Sequence, residues 1–190
     1  MDRPSLNEAP SASRWTSVDF PSHSEIHADF VSRASLVESY RFELPVADMT
    51  VTDIFLGIFG GKPGWMKAAI ILRNIAVKPF GIETPLVADV LSNARRTTYR
   101  VGETIWAWPI FTLTGDELVA GRDNKHLDFR VSVLKSVENG GQFATVSTVC
   151  VTHNRAGEIY LKTILPIHKH GIRFLISRAL SGYVHPTIPR

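Results

Sequence analysis

Four consecutive β-type segments followed by one long helical segment constrain the fold of this chain most. β-rich segments over 105–113, 118–122, 127–137 and 142–153 are separated by turn residues, among them Asn139-Gly140-Gly141, and predict an antiparallel meander. Beyond residue 154, apolar residues recur at helical spacing as far as residue 180. An antiparallel sheet with one apolar face needs a cover, and the longest helix in the chain is its natural cover.

The chain before the meander predicts one strand and two short helices. Residues 40–44 alternate aromatic or apolar side chains with charged ones, which is the period-two pattern of a half-buried strand. Thr50 and Asp53 have the spacing that caps the start of a helix, and a second apolar helix starts near Pro63 and must stop before Pro79. The predicted fold is therefore α+β, of the helix-grip type, with the sheet wrapped against the terminal helix.

The domain organisation predicted from composition is one domain preceded by an arm. A chain of 190 residues with 44% hydrophobic residues has the length and apolar content for one sizeable core. Residues up to about 23 carry Ser, Pro, Asn and Ala with few large apolar groups. We therefore expect a flexible N-terminal arm over 1–33 and a single helix-grip domain over 34–190.

Charge and cysteine content weigh against several classes of protein. The 21 basic and 18 acidic side chains are mixed along the chain, so no nucleic-acid partner is expected. The single Cys150 cannot form an internal disulfide, and no secretion-type apolar run stands near the N-terminus, which favours the cytoplasm. The longest apolar stretch, 105–111, is far shorter than the roughly 20 residues of a membrane-spanning helix.

Motifs for phosphate, metal or nucleophilic chemistry are weak in this sequence. The glycine-rich stretch 57–63 has Leu56 where a phosphate-binding loop needs glycine and Pro63 where it needs a hydroxyl, so a helix-to-helix turn is expected. The two histidines of His168-Lys169-His170 point to different sides of a helix, which favours a solvated basic turn over a metal site. Cys150 lies in mid-strand, where a buried, inert thiol is expected. We therefore expect no metal and no cofactor.

One polar constellation stands out as a candidate catalytic patch. His126, Asp128 and Arg130 alternate along one strand and so share a face, and a two-residue turn at Asn139-Gly140 places His153 across from His126. In an enzyme, either histidine could act as general base while Asp128 orients an imidazole and Arg130 stabilises an anion. The alternative is an exposed polar face held by an Asp–Arg pair.

Aromatic side chains on the sheet and the terminal helix form the candidate ligand-binding set. The other face of the same hairpin places Phe129 across from Cys150, which suits a cavity wall or an ordinary core equally well. Aromatic groups around an apolar space with few polar groups are typical of a small-molecule site. The candidate ligand-binding residues are Trp106, Trp108, Phe111, Phe129, Tyr160 and His168. For the tryptophans, packing in the core or at the sheet edge is the alternative.

Several short segments, spread from about residue 40 to residue 180, carry a family resemblance. They are Leu72-Arg73-Asn74, Lys78-Pro79-Phe80-Gly81, Tyr99-Arg100-Val101-Gly102, His126-Leu127-Asp128-Phe129-Arg130, Asn154-Arg155-Ala156-Gly157-Glu158-Ile159-Tyr160 and Pro166-Ile167-His168. Together they resemble the bacterial family Domain of Unknown Function 2867, and the His-Leu-Asp-Phe-Arg string is the most specific of them. The resemblance implies a relative of the START-like and polyketide-cyclase-like helix-grip proteins, which commonly hold apolar ligands between sheet and long helix. Some members look like partners of nicotinamide-binding domains, but no Gly-x-Gly-x-x-Gly follows a strand here.

Three functions follow from these patterns. The leading hypothesis is a module that binds a small apolar or amphipathic ligand. The second is an enzyme of cyclase, dehydratase or hydrolase type that uses the histidine patch. The third is an interaction protein whose basic terminal helix rests transiently on a membrane surface or a partner. The orientation of the sheet discriminates between the first two: an inward Phe129 face favours binding, and an inward His126 face favours catalysis.

Overall fold

A computed structural model describes residues 15–46, 48–61, 63–77, 96, 98–106 and 108–184. In chain order the elements are β1 (Trp15–Val18), α1 (Ala28–Ser32), β2 (Leu36–Glu43), α2 (Val51–Phe59), α3 (Gly64–Val77), β3 (Thr104–Ile105), β4 (Trp108–Leu113), β5 (Glu117–Arg122), β6 (Leu127–Glu138), β7 (Gly141–Thr152) and α4 (Arg155–Val184). The fold is α+β, as predicted, and its longest helix is α4.

The strands of the described residues form one open antiparallel sheet of seven strands in the order β1-β2-β7-β6-β5-β4-β3. The predicted register of the central β6–β7 hairpin is confirmed, because Phe129 lies opposite Cys150 and Asp128 opposite Val151. Asn139 and Gly140 form its turn with φ angles of 50° and 80°. Positive φ at both positions is the type I′ geometry that suits the twist of a two-residue hairpin.

The segment 105–113, predicted as one β-type stretch, contains two strands. A tight turn separates β3 from β4, and Ile105 pairs with Trp108 across it. Trp106 begins this turn with a φ of 55°. A positive φ is uncommon for a residue with a side chain. Tryptophan is therefore not a residue that predicts a turn, and the sequence predicts the stretch 105–113 as continuous.

The predicted helix boundaries before the meander agree with the structure where it describes them. Thr50 and Asp53 form a capping box at the start of α2, in which each side chain receives a hydrogen bond from the other residue's backbone amide. The helix α3 begins directly after Pro63 and extends to Val77. Pro79 and the rest of the segment 78–81, which entered the sequence predictions, lie outside the described residues.

One face of the sheet carries the main core. Tyr40, Leu118 and Val133 project from it and pack with Phe55 of α2 and Ile176 of α4. The prediction that α4 covers the sheet is confirmed for Leu161 and Leu175, which are buried. Ile164 is half-buried against a smaller apolar cluster. Within the described residues, no helix is long and apolar enough to cross a membrane.

The opposite face of the sheet is covered by the segment that precedes β2. Ile26 is buried there with Val119 and Val149, and Phe30 of α1 packs against them. The stretch 1–33, which the sequence predicts as a flexible arm, thus contains two ordered elements, β1 and α1. They are too short to be indicated by periodicity, and contacts with the sheet stabilise them. Residues 1–14 lie outside the described residues.

Candidate functional site

A cavity of about 960 Å³ lies between the sheet, α3 and α4. Pockets that hold small molecules are typically about 300–1,000 Å³ and mainly apolar. Apolar side chains of all three elements line this cavity, among them Phe129, Val131, Met66, Ile70, Leu161 and Leu175. The Phe129 face of β6 is therefore the face that points towards the helices.

Aromatic rings form one wall of the cavity. Trp106 and Trp108 meet edge to face with ring centroids 5.0 Å apart, and Trp108 and Phe129 do so at 5.5 Å. All three residues line the cavity. Because Trp108 also packs edge to face on Phe55 and Phe59 of α2, this wall is continuous with the core.

The helix α3 supplies the second wall through a stripe at helical spacing. Its lining residues are Trp65, Met66, Ala69, Ile70 and Arg73. Trp65 contacts the ring of Phe174 on α4 at 5.5 Å, whereas Arg73 contacts Tyr160 near the other end of α4. Contacts between α3 and α4 therefore delimit the cavity at two ends.

Arg73 was not among the predicted site residues, although it places a cation in the cavity wall. Its guanidinium donates a hydrogen bond from Nη2 to the hydroxyl of Tyr160, and Nη1 donates to Asn74 Oδ1 at 2.9 Å. It also lies 5.0 Å from the centroid of the Tyr160 ring. Burial raises the pKa of Tyr160, and the nearby Arg73 opposes part of that rise. Tyr160 therefore keeps its proton at neutral pH.

His126 lies at the same end of the cavity as Tyr160. It precedes β6 and lines the cavity, and its Nδ1 is 3.0 Å from Asn154 Oδ1. That oxygen accepts a hydrogen bond from Gly157 N, while Asn154 Nδ2 donates to Lys125 O, so Nδ1 of His126 carries the proton. A Cβ on Gly157 would overlap the carbonyl oxygen of His126. Glycine therefore allows the first turn of α4 to pack here.

The other three residues of the predicted catalytic patch lie off the cavity. His153 Nε2 is 2.8 Å from Asp128 Oδ2, and Arg130 Nη1 is 2.5 Å from Asp123 Oδ1. The backbone of His153 pairs with that of His126 as predicted, with a hydrogen bond of 3.0 Å. The two imidazoles nevertheless have different partners. The structure therefore places His126 in the cavity wall and leaves Asp128, Arg130 and His153 on the opposite face of the sheet.

The remaining predicted site residues also fall into two groups. Tyr160 and His168 line the cavity, whereas Phe111 does not. The guanidinium carbon of Arg130 lies over the ring of Phe111, 3.6 Å from the ring centroid. Cys150 is buried in the cavity wall, and burial raises the pKa of its thiol to about 12. This agrees with the predicted inert thiol. Among the described residues, no three His, Cys, Asp or Glu side chains are grouped to hold a metal ion.

His168 connects the cavity to an ion pair at the edge of α4. Its Nε2 is 3.8 Å from Glu38 Oε2, and Lys169 Nζ is 3.1 Å from Glu38 Oε1. Burial lowers the pKa of His168 from its ordinary value of 6.5, against the opposing effect of Glu38. The folded protein therefore favours the neutral imidazole.

We expect the stability of the protein to fall below pH 6.5 partly because of His168. Since its pKa is lowered in the folded state, the unfolded chain takes up the proton first, and stability is lost as the pH falls through 6.5 towards the lowered pKa. Urea denaturation of His168→Gln at a series of pH values should show a weaker acid-side decline than the unmodified protein. The matched variant His170→Gln, on an exposed position of α4, should keep the original profile. Parallel profiles for all three proteins would contradict this prediction.

The chain matches the model of a known protein family. The family model described as "Protein of unknown function (DUF2867)" matches residues 30–174. The matched span includes every described strand after β1, and it includes α4 as far as Phe174. No curated protein matches the chain.

Proposed function

We propose that this chain, which belongs to the DUF2867 family, binds a small apolar or amphipathic ligand between its sheet and α4. The cavity of about 960 Å³, walled mainly by apolar and aromatic side chains, is the observation that carries the proposal. Burying the apolar surface of a ligand there would be favourable by about 25 cal/mol per Å² of apolar surface removed from water. The few polar groups in the wall would orient the ligand.

The layer arrangement supports the further proposal that the fold is a helix grip of the START-like kind. A long C-terminal helix lies across one face of an antiparallel sheet, and the cavity lies between them. In such an arrangement the ligand takes the place of part of the core. The polar residues on the opposite face of the sheet then serve to hold α1 and its neighbours.

Binding is favoured over catalysis by the orientation of β6. The Phe129 face lines the cavity, whereas the Asp128–His153 pair does not. Of the four residues proposed for acid–base chemistry, only His126 is in the cavity wall, and its described partner is the Asn154 side chain. An amide cannot stabilise an imidazolium as a carboxylate does.

A variant that fills the cavity without disturbing the fold tests the proposal. Gly171 lies on α4 in the cavity wall, and a Cβ built there has no atom within 4 Å. Gly171→Leu should therefore enter the cavity while stabilising the helix by about 0.5–1 kcal/mol. We expect it to weaken uptake of a fluorescent amphipathic probe, anilinonaphthalene sulfonate, which joins apolar rings to a sulfonate, at least about tenfold, a change of about 1.4 kcal/mol in binding free energy.

Gly182→Leu is the matched control for this test. Gly182 is on the same helix with the same open space for a Cβ, but it does not line the cavity. The Gly182→Leu variant should bind the probe as the unmodified protein does. Native mass spectrometry of gently purified protein should also detect a bound apolar species. Absence of saturable probe uptake, or equal uptake by both glycine variants, would contradict the proposal.

A further inference from the structure

We propose that the ligand carries a carboxylate and that Arg73 binds this group. The inference rests on the proposed binding function and gives the chemical class of the ligand. An apolar tail would lie between α3 and α4, and the acidic head would lie at the end where Arg73 meets Tyr160.

The hydrogen bonds of Arg73 leave part of its guanidinium for a ligand. A guanidinium has five N–H donors, and the structure uses two of them, one towards Tyr160 and one towards Asn74. In the described part of the chain, no carboxylate lies within ion-pair distance of Arg73. Arg130, on the other face of the sheet, is by contrast neutralised by Asp123 at 2.5 Å. Arg73 therefore has donors for an anion that the described chain does not supply.

The composition of the cavity wall also favours a ligand with a negative charge. Its ionisable cationic or imidazole side chains are Arg73, Arg122, His126, His168 and His170. The described lining includes neither aspartate nor glutamate. A cation beside apolar walls is poorly solvated, and an anionic partner that also makes hydrogen bonds offsets that cost. A carboxylate fits best because it matches the planar fork of a guanidinium with two parallel hydrogen bonds.

The two contacts between α3 and α4 set the length available to the tail. Trp65 and Arg73 are separated by about 12 Å along α3, and their partners Phe174 and Tyr160 by about 21 Å along α4. The Trp65 end is apolar and exposed, with Trp65 61% and Phe174 41% accessible. The Arg73 end is polar and half-buried. The cavity therefore has the polarity of a long-chain acid, with its head near Arg73 and its tail towards Trp65.

Paired fluorescent probes test this inference directly. Dansylamino-undecanoic acid and its methyl ester share one apolar body and differ in the head group. At neutral pH the intact protein should bind the acid at least about tenfold more tightly than the ester, since a charge-assisted, bidentate hydrogen bond is strong. Arg73→Met keeps the apolar stem but removes the charge, so it should lose this preference and bind both probes with the affinity of the ester.

Two further variants keep the test interpretable. Arg73→Lys retains the charge without the planar fork and should recover part of the preference for the acid. Lys162→Met removes a cation from an exposed position of α4 next to Leu161 and should leave both affinities unchanged. Melting curves establish that every variant is folded before its affinity is compared.

The outcomes separate the two proposals. If the acid and the ester bind equally to the intact protein, or if Arg73→Met keeps the preference for the acid, the carboxylate inference is overturned and the apolar binding site stands. If neither probe binds, the proposed function and this inference both fail. A preference that disappears in Arg73→Met and partly returns in Arg73→Lys supports the inference.

Discussion

Replacing Ile176 by alanine should lower the free energy of unfolding by about 2–5 kcal/mol, as for other large-to-small changes in a packed core. Ile176 is 0% exposed on α4 and belongs to the cluster that joins this helix to α2 and the sheet. The substitution removes three buried carbon atoms and leaves a cavity whose walls cannot close completely. Urea denaturation of ligand-free protein measures the change. It tests whether α4 is part of the core, which both ligand proposals require.

Ile167→Ala is the matched control on the same helix. Ile167 is 66% exposed, so the same chemical change should alter stability by no more than about 0.5 kcal/mol. Two equally small effects would mean that α4 is an appendage, as the membrane-surface hypothesis requires. The cavity would then lose one of its walls, and the proposed binding function would lose its basis. A large effect at Ile176 alone identifies α4 as the cover of the sheet.

The central hairpin could be predicted from sequence because its determinants are local. Asn139 and Gly140 can both adopt positive φ, and once this turn is placed every pair along β6 and β7 follows from alternation. The cap of α4 is equally local, since Asn154 Oδ1 accepts a hydrogen bond from an amide three residues later. These features depend on neighbours in sequence and on no distant partner.

The parts of the candidate site that sequence missed depend on distant contacts. Arg73 and Tyr160 are 87 residues apart, and helical periodicity alone places Arg73 no differently from a solvated charge. His126 lines the cavity instead of continuing the polar face of β6, and the first turn of α4 packs against its backbone at Gly157. A pattern within one strand cannot contain that information. The predicted patch was therefore divided, with one member in the cavity and three on the other face.

The largest polar effect is expected at Glu117, a residue that no sequence pattern singled out. Its side chain is 1% exposed on the face opposite the cavity. One carboxyl oxygen accepts hydrogen bonds from the hydroxyls of Ser24, at 2.6 Å, and Ser132, and the other accepts one from Glu25 N at 2.5 Å. Since Ser24 and Glu117 are 93 residues apart, this buried group fastens the segment before α1 to the sheet.

Glu117→Gln should therefore lower the free energy of unfolding by at least about 2 kcal/mol, because the amide has one acceptor oxygen in place of two, so either Glu25 N or the pair of serine hydroxyls loses its acceptor. Amide exchange at Glu25 should also become faster, since the hydrogen bond from its N–H to the side chain of residue 117 is weakened or lost. Glu43→Gln, at an exposed position of β2, should change stability by no more than about 0.5 kcal/mol. Similar small changes in both variants would mean that apolar contacts of Ile26 hold this segment without help from Glu117. A large loss of stability, with faster exchange confined to residues near Glu25, would instead identify the carboxyl group as the anchor of the segment before α1. In that case the probe affinities of the cavity on the other face of the sheet should be unchanged.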